Sequence, residues 1–337
     1  MSNDTDWNSN LGGGFGKHVP EDEYYHGSGG PEDSLTETWY WNFHVAEAAI
    51  NCFAYCWVHP NLKIVTGGVM IFQGIKSQHL ECELFDMLNY NAMAPIVGDG
   101  SDIRFPNGMR VETISPLQHL RFTFSDPGRD TAFDVDLKAI DVPIMRANNK
   151  HFEQVMHATG ELTLRGKRYT VDCYPVRDRS WGEPRPEVHV PSPPYTWVTG
   201  TFGKDFAFNV GSHDDPIHKP DWLDIMDTPE RSFKDGWVLV DGEQRRVVSA
   251  SKITRREFPL CRPVTHEYEF EDSAGDTYKI TGRIIAQTKW SGWSNAVCHI
   301  GLVEWDWDGR KGYGESQEVQ WNDYVWKSQM RLNRSPE

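Results

Sequence analysis

The sequence predicts an all-β protein that is built from two antiparallel β-barrels. Apolar residues recur at every second position through much of the 337-residue chain, which is the period of a strand whose side chains alternate between two faces. Asp-Gly pairs and other turn residues separate these runs, and an Asp-Gly pair between alternating runs is a strong hairpin signal. A proline-rich segment divides the chain into two halves that show the same pattern.

The N-terminal barrel is predicted over residues 31–183. Residues 1–30 are rich in Gly, Asn, Asp and His, and we expect them to form an extended or poorly ordered arm. The run 64–72 is apolar at almost every position, as in a strand that is buried on both faces. The runs 120–124 and 133–137 alternate apolar with polar residues, as in strands with one buried face.

The C-terminal barrel is predicted over residues 195–337. Residues 184–194 contain five prolines and are predicted to form a connection, because proline cannot pair within a central strand. Hairpin turns of the second barrel are predicted at Asp241-Gly242, at 273–276 and at Asp308-Gly309.

Helical periodicity is rare in this sequence. The two candidate segments lie around 146–157 and at Asn322–Leu332. We therefore expect a helix at the C-terminus of the second barrel and little helix elsewhere.

Composition and charge narrow the range of partners. The chain carries 14 Trp, 16 Phe and 12 Tyr, and aromatic side chains both fill cores and line apolar pockets. A net charge of −15 opposes binding to nucleic acid or to an anionic membrane surface. The sequence shows no secretory signal, and no apolar run approaches the ~20 residues of a membrane-spanning helix. We therefore predict a soluble, cytoplasmic protein whose six cysteines are free thiols.

No cofactor is predicted. The sequence lacks a Gly-rich loop between a strand and a helix, as nucleotide binding requires, and it lacks the Gly-x-Ser-x-Gly elbow of serine hydrolases. Cys52 and Cys56 have no second pair at zinc-finger spacing. The segment from His213 to His218 offers four potential metal ligands, but its spacing matches no metal motif. A surface loop is therefore the favoured interpretation, and no metal site is predicted.

The most distinctive segment is Arg-Asp-Arg-Ser-Trp-Gly at 177–182. It combines two guanidiniums, a carboxylate, a hydroxyl and an indole, although a turn needs only Gly, Asn or Pro and a solvated face needs only charges. One interpretation is a functional site centred on Asp178. The alternative is a strand end where Asp178 pairs with an arginine and Trp181 closes the barrel mouth, since ion-pair clusters are often structural.

The order of motifs around this segment resembles that of a known family. His-Phe-Glu-Gln at 151–154 precedes a strand, a basic Gly turn at 165–169, a second strand and then the 177–182 segment. This order is similar to that of the two-domain lipocalin-like proteins related to carotenoid hydratases. The segments 36–43 and 312–315 are similar to that family's first strand and last hairpin. The resemblance implies two lipocalin-like barrels packed side by side, with an apolar pocket near their junction, in a group that includes hydratases and cyclases.

Hydration of a carbon–carbon double bond needs a proton donor and aromatic walls that stabilise the carbocation. Asp178 is the predicted donor, although Arg177 and Arg179 would lower the pKa of its carboxyl group if they faced it. Tyr174 would share a strand face with Asp178 if the strand stayed regular. We therefore predict Asp178 and Tyr174 as catalytic residues.

His44 is the third predicted catalytic residue, as an acid or a base. It belongs to the aromatic run 39–44, in which alternate residues share a face. This run either lines a cavity or forms a buried aromatic core with an exposed Tyr40, and burial preferences favour the core. The predicted substrate-binding residues are Trp39, Trp41, Arg179, Trp181 and Glu315. Glu315 has a second interpretation, as the cap of a hairpin.

These predictions favour a cofactor-independent lyase or isomerase of the hydratase, dehydratase or cyclase kind. It would act by acid–base chemistry on an apolar isoprenoid, steroid-like or aromatic molecule. The alternative is a non-catalytic binding or carrier protein for such a molecule, which a wholly apolar pocket would favour. The expected partner is a hydrophobic small molecule, without nucleic acid or membrane insertion, and the sequence is compatible with a homodimer.

Overall fold

A computed structural model describes residues 15–27, 34–185, 192–218, 229, 231–293 and 295–332. These residues fall into two compact units. The N-terminal unit comprises the described parts of 15–74 and 80–186, and the C-terminal unit comprises those of 75–79 and 187–337. Both units consist mainly of antiparallel strands, so the predicted all-β class is confirmed.

The N-terminal unit is a large antiparallel sheet with one short helix, α1 (Ala94–Val97). Its strands are β1 (Leu35–Val45), β2 (Ile50–His59), β3 (Ile64–Gln73), β4 (Leu84–Ala92), β5 (Asp102–Arg104), β6 (Arg110–Ser115), β7 (His119–Asp126), β8 (Thr131–Ala139), β9 (Ile144–Met145), β10 (His151–Leu164), β11 (Lys167–Cys173) and β12 (Val176–Pro184). The order across the sheet is β4-β3-β2-β1-β12-β10-β8-β7-β6-β5, and β9 and β11 also pair with β10. Strand β12, which carries the 177–182 segment, therefore lies between β1 and β10.

This sheet curls around an aromatic core. The ring centroid of Phe43 in β1 lies 5.1 Å from that of Phe133 in β8 and 6.1 Å from that of Phe122 in β7. Since β12 and β10 separate β1 from β8 in the sheet, these contacts cross its concave side. The predicted one-sided strands are confirmed, because Phe122 is buried whereas Arg121 beside it is exposed.

The C-terminal unit is a closed antiparallel barrel followed by a helix. Its strands are β13 (Tyr195–Thr201), β14 (Phe206–His213), β15 (Phe233–Val240), β16 (Glu243–Glu257), β17 (Arg262–Asp272), β18 (Thr277–Trp290), β19 (Ala296–Trp307) and β20 (Arg310–Trp321), and α2 covers Asn322–Leu332. Strand β20 pairs with β13 as well as with β19, which closes the barrel. The predicted C-terminal helix is confirmed. No helix among the described residues is long and apolar enough to cross a membrane.

The Asp-Gly turns form where the sequence predicts them. Asp241-Gly242 joins β15 to β16, and Asp308-Gly309 joins β19 to β20. The φ angles are 50° for both aspartates and 82° for both glycines. This left-handed conformation at two successive residues is what a type I′ hairpin turn requires. The third predicted turn, at 273–276, joins β17 to β18.

The helix predicted around 146–157 is wrong, because β10 occupies most of this segment. Every residue of 152–156 is buried. A strand that is covered on both faces has no polar alternation to reveal its period, so its apolar run resembles a buried helix.

The described part of the predicted extended or poorly ordered arm, residues 15–27, packs against the N-terminal unit. The backbone N–H of Tyr25 donates to the carbonyl oxygen of Asp99 over 2.9 Å, and the Glu23 side chain is buried. A polar segment packs here because its carboxylate has a partner inside the N-terminal unit. Residues 1–14 and 28–30 of the predicted arm, 31–33 of the predicted first barrel, and 186–191 of the predicted connection lie outside the described residues.

All six cysteines are free and buried. Burial raises the pKa of Cys173 to about 12 and those of Cys56 and Cys298 further, so these thiols stay protonated. We expect no reaction of the folded protein with a disulfide reagent at neutral pH, and reaction of all six thiols in denaturant. Labelling of any thiol in the folded protein would contradict this burial.

Candidate functional site

Strand β12 sends the side chains of the 177–182 segment to opposite faces of the sheet. Because side chains alternate along a strand, Arg177, Arg179 and Trp181 share one face, and Asp178 and Ser180 share the other. Each arginine pairs with a carboxylate other than Asp178. The structural interpretation of the segment therefore applies to the arginines, and Asp178 is not half of either ion pair.

Arg177 forms a buried, bidentate ion pair with Glu23. Its Nη1 and Nη2 atoms lie 2.7 and 2.8 Å from the two carboxylate oxygens, and Nη2 also donates to Oε1 of Gln154 over 2.7 Å. Burial alone would raise the pKa of Glu23, but Arg177 and the backbone N–H of Leu117 outweigh it and lower the pKa. The pair anchors the 15–27 segment to β12.

Arg179 is stacked against aromatic rings and paired with Glu37. Its guanidinium carbon lies 3.7 Å from the ring centroid of Trp39 and 5.3 Å from that of Trp181, distances at which a ring face attracts a cation. Burial lowers the pKa of Arg179, and the Glu37 carboxylate opposes this shift. Trp181 also stacks on His26, with 4.2 Å between ring centroids.

These contacts give Trp39, Trp41, Arg179 and Trp181 a packing role, and their role in binding a substrate stays a prediction. The two indoles of β1 are 1% exposed and belong to the hydrophobic core. All four side chains lie on the face opposite Asp178, so they form no cavity lining with it. The expectation that Tyr40 is exposed is wrong, because its side chain is fully buried.

The opposite face of the sheet carries a row of polar side chains from three adjacent strands. Tyr40 of β1 is the register partner of Asp178, which is in turn the register partner of Glu153 in β10. Directly opposite residues of antiparallel strands have Cβ atoms about 4.5–5.5 Å apart, so these three side chains are neighbours. We name this row and its surroundings the Asp178 face. Its members are Thr38, Tyr40, Tyr55, Arg146, His151, Glu153, Asp178, Ser180 and Arg185.

Glu153 is the buried acceptor of this face. Its Oε1 atom lies 3.0 Å from Nη2 of Arg146 and 2.8 Å from Nε2 of His151. Its side chain is 1% exposed. A buried carboxylate needs such partners to offset the loss of water, and Glu153 has two of them.

Asp178 has none. Its half-buried carboxyl group makes no hydrogen bond or ion pair with any other residue that the structure describes. Burial raises its pKa, His151 and Arg185 oppose this shift, and Glu153 adds to it. A raised pKa keeps a larger fraction of the carboxyl group protonated, which is the state that a proton donor requires. Sequence reasoning found Asp178 but missed Glu153, because nothing local in the sequence gives the register between β10 and β12.

His44 lies on the same face as Tyr40 but farther along β1. The two residues are four positions apart, so their Cα atoms are separated by about 13 Å at the rise of a strand. Burial lowers the pKa of His44 to about 4, so its imidazole is neutral at physiological pH. His44 therefore lies outside the row that contains Asp178, and its catalytic role stays a prediction.

The regular strand that would pair Tyr174 with Asp178 is absent. Strand β11 ends at Cys173 and β12 begins at Val176, with Pro175 between Tyr174 and β12. The ring of Tyr174 stacks on His157, with 4.7 Å between ring centroids. The tyrosine beside Asp178 is Tyr40 instead, which the alternation of β1 already placed on the face opposite Trp39.

Glu315 lies in β20 of the C-terminal unit, where its register partner is Leu302 of β19. It does not cap the hairpin, since the turn at 308–309 is six residues away. Its side chain is buried, and burial raises its pKa well above the ordinary value. Its role in binding a substrate stays a prediction.

The segment around His213 and His218 shows no metal centre. Within the described ranges, no group of three or more His, Cys, Asp or Glu residues could hold a metal ion. Nδ1 of His213 lies 3.0 Å from the carbonyl oxygen of Pro193, and burial lowers the pKa of His213 to about 4. His218 is exposed.

The C-terminal barrel contains a second polar cluster, whose charges are paired with one another. Arg256 lies 2.6 Å from a carboxylate oxygen of Asp214 and 2.7 Å from one of Glu318. Nζ of Lys252 lies 3.1 Å from Asp214 and 2.7 Å from the hydroxyl of Thr196. Two cations thus balance two carboxylates, as a buried structural network requires.

We expect the C-terminal barrel to lose stability in acid. Burial alone would raise the pKa of Glu318, but Arg256 lowers it to about 2. The pKa of a glutamate in the unfolded chain is about 4.3. Because the folded pKa is depressed, the stabilisation is present above about pH 4.3 and is lost as the pH falls towards 2. Thermal unfolding across this range should show a smaller acid loss in Glu318→Gln than in the wild type. Equal losses in the two proteins would contradict the role of Glu318.

The fold and the site define an all-β protein with an acidic group on one face of a curled antiparallel sheet. The chain belongs to the family described as Domain of unknown function (DUF7064), whose profile matches residues 19–323. No curated protein matches its sequence.

Two solved structures have a similar fold. One is kievitone hydratase from Nectria haematococca, with a TM-score of 0.56 and 13% identity over 92% of this chain and 94% of that chain. The other is a protein described as a candidate AttH from Nitrosomonas europaea, with the same TM-score and identity over 92% of this chain and 97% of that chain. The likeness confirms the resemblance to the lipocalin-like hydratase fold, and at this identity it concerns the fold alone.

Proposed function

We propose that the protein is a cofactor-independent lyase or isomerase that protonates an apolar isoprenoid, steroid-like or aromatic molecule. The observation that carries this proposal is Asp178, a half-buried carboxyl group with a raised pKa and no partner among the described residues. The more deeply buried carboxylates Glu23, Glu37 and Glu153 are each paired with an arginine, and Asp178 differs from them in this respect. The absence of a partner leaves the Asp178 proton available to a ligand.

The chemistry follows from the neighbours of Asp178. Its carboxyl group transfers a proton to one carbon of a double bond, which leaves the Asp178 carboxylate and a carbocation on the other carbon. The Tyr40 ring lies beside Asp178 and is packed 5.2 Å from the Phe53 ring between centroids. It is fully buried, so it would stabilise a cation through the aromatic environment next to Asp178 rather than through an exposed ring face. Water adds to the cation and releases a proton, which restores the Asp178 acid. The same groups serve dehydration in reverse. If a second double bond attacks in place of water, a ring closes and a new carbocation forms, which loses a proton to the Asp178 carboxylate and gives a cyclised alkene.

The comparison with kievitone hydratase supports this class of reaction, since that protein is a hydratase by name and shares the fold. The alternative is a carrier that binds the same kind of molecule without changing it. An acid without a partner among the described residues favours the enzyme, because a carrier has no use for an unpartnered carboxyl group in low dielectric.

The test starts from the apolar molecules that copurify with the protein, identified by mass spectrometry. Each is incubated with purified protein in oxygen-18 water, with a chelator present. Incorporation of the label, loss of one water from the molecule, or a product of equal mass with a new ring supports the lyase or isomerase. Recovery of every bound molecule unchanged would overturn the proposal and identify a carrier.

A further inference from the structure

Arg185, which follows β12 directly, contributes a guanidinium to the Asp178 face. Its Nη2 atom donates to Oγ of Ser180 over 2.8 Å, and Nη1 lies 3.4 Å from the hydroxyl of Tyr55. The side chain is half-buried and forms no ion pair with any carboxylate in the described part of the chain. By contrast, Arg146 and Arg177 each contact a carboxylate.

Arg185 and Asp178 belong to one site. Ser180, the acceptor of Arg185, lies two residues from Asp178 on the same face of β12, about 7 Å along the strand. The Ser180 hydroxyl is fixed in turn by Oγ1 of Thr38, 2.7 Å away. The charge of Arg185 reaches Asp178, whose pKa it lowers against the effect of burial.

The guanidinium has hydrogen-bonding capacity left over. An arginine carries five N–H donors in a planar fork that matches the two oxygens of a carboxylate. Two nitrogens of Arg185 are used, and both face neutral hydroxyl groups. A protonated Asp178 is also neutral, so in the state that donates the proton no residue that the structure describes forms an ion pair with this half-buried positive charge. An anionic oxygen on a ligand would form that ion pair.

We propose that Arg185 binds an anionic oxygen, a carboxylate or phenolate, of the apolar substrate and thereby positions the substrate against Asp178. This inference rests on the proposed function and narrows its substrate class. The substrate is an apolar molecule with one acidic oxygen group rather than a hydrocarbon.

Equilibrium binding of three matched fluorescent probes tests the proposal. They are 1-pyrenebutanoic acid, its methyl ester and 1-butylpyrene, which share the apolar ring system and differ in charge. We expect the wild type to bind the acid most tightly. Arg185→Met should weaken binding of the acid by about tenfold to a hundredfold, the effect of losing a charge-assisted hydrogen bond, and leave the other two probes unchanged. Arg168→Met, at an exposed position of β11, is the matched control and should change none of the three.

Two outcomes would overturn the inference. One is equal binding of acid and ester by the wild type. The other is unchanged acid binding, or an equal loss for all three probes, in an Arg185→Met variant whose circular dichroism and melting temperature match the wild type. Because the assay needs no turnover, its result is independent of whether Asp178 is catalytic. The binding assay can therefore fail while Asp178 is a proton donor, and it can succeed while Asp178 is not one.

Discussion

Replacement of Asp178 by Asn should lower turnover of the copurifying ligand by about two to four orders of magnitude, the usual contribution of a positioned acid or base. The amide has the shape of the carboxyl group but no acidic proton. The melting temperature should stay the same or rise slightly, because no ion pair is lost and burial no longer opposes a charge at this position. Ligand affinity should change little. Turnover per folded molecule and thermal unfolding, measured on the same preparations, check both parts.

Asp172→Asn is the matched control for this change. Asp172 lies in β11, is exposed, and contacts His157 with 2.7 Å between the carboxylate oxygen and Nε2. The same substitution there should leave turnover at the wild-type level. An Asp178→Asn protein that is less stable but retains its turnover per folded molecule would refute the catalytic assignment.

Replacement of Arg177 by Met should destabilise the N-terminal unit by about 3–5 kcal/mol, the cost of removing one partner from a buried ion pair. Glu23 would stay behind without water and without its bidentate partner, and Gln154 would lose its donor. Chemical denaturation measures the loss. A second substitution, Glu23→Gln in the Arg177→Met background, should recover part of the stability because it removes the uncompensated charge.

Arg121→Met supplies the control for this prediction. Arg121 and Asp134 form an ion pair with 2.6 Å between nitrogen and oxygen, but both side chains are half exposed or more. Exposed pairs contribute about 1 kcal/mol or less. Equal losses in Arg121→Met and Arg177→Met would show that burial of the Glu23 pair does not stabilise the fold.

Much of the fold could be predicted from the sequence because a strand with one buried face records its period in every second residue. Strands β7 and β8 have this pattern. The Asp-Gly turns were predictable for another reason, since this residue pair favours the left-handed conformation that the turn requires. Strand β10 has no alternation of apolar and polar residues, since it is covered on both faces, and its sequence predicts a helix instead. The packing of the 15–27 segment leaves no local signal in the sequence, because its anchor, Arg177, lies 154 residues from Glu23.

The candidate site could be predicted only in part, for the same reason. The alternation of β12 separates Asp178 from its neighbouring arginines, and the alternation of β1 separates Tyr40 from the indoles of the core. Which residues stand opposite Asp178 depends on register, and register between distant strands leaves no local signal. The same limit hid Glu153 and Arg185, and it hid the position of Tyr40 beside Asp178.

The pH dependence of turnover per folded molecule tests the central claim, that Asp178 donates the proton, most directly. A general acid is active while protonated, and the pKa of Asp178 is raised. Turnover should therefore be highest at low pH within the range where the protein is folded. It should fall as the pH rises through a value above the ordinary 3.9 or so of an aspartic acid. That falling limb should be missing from the residual activity of Asp178→Asn. Turnover that rises with pH over this range, or a limb that persists unchanged in Asp178→Asn, would contradict the claim.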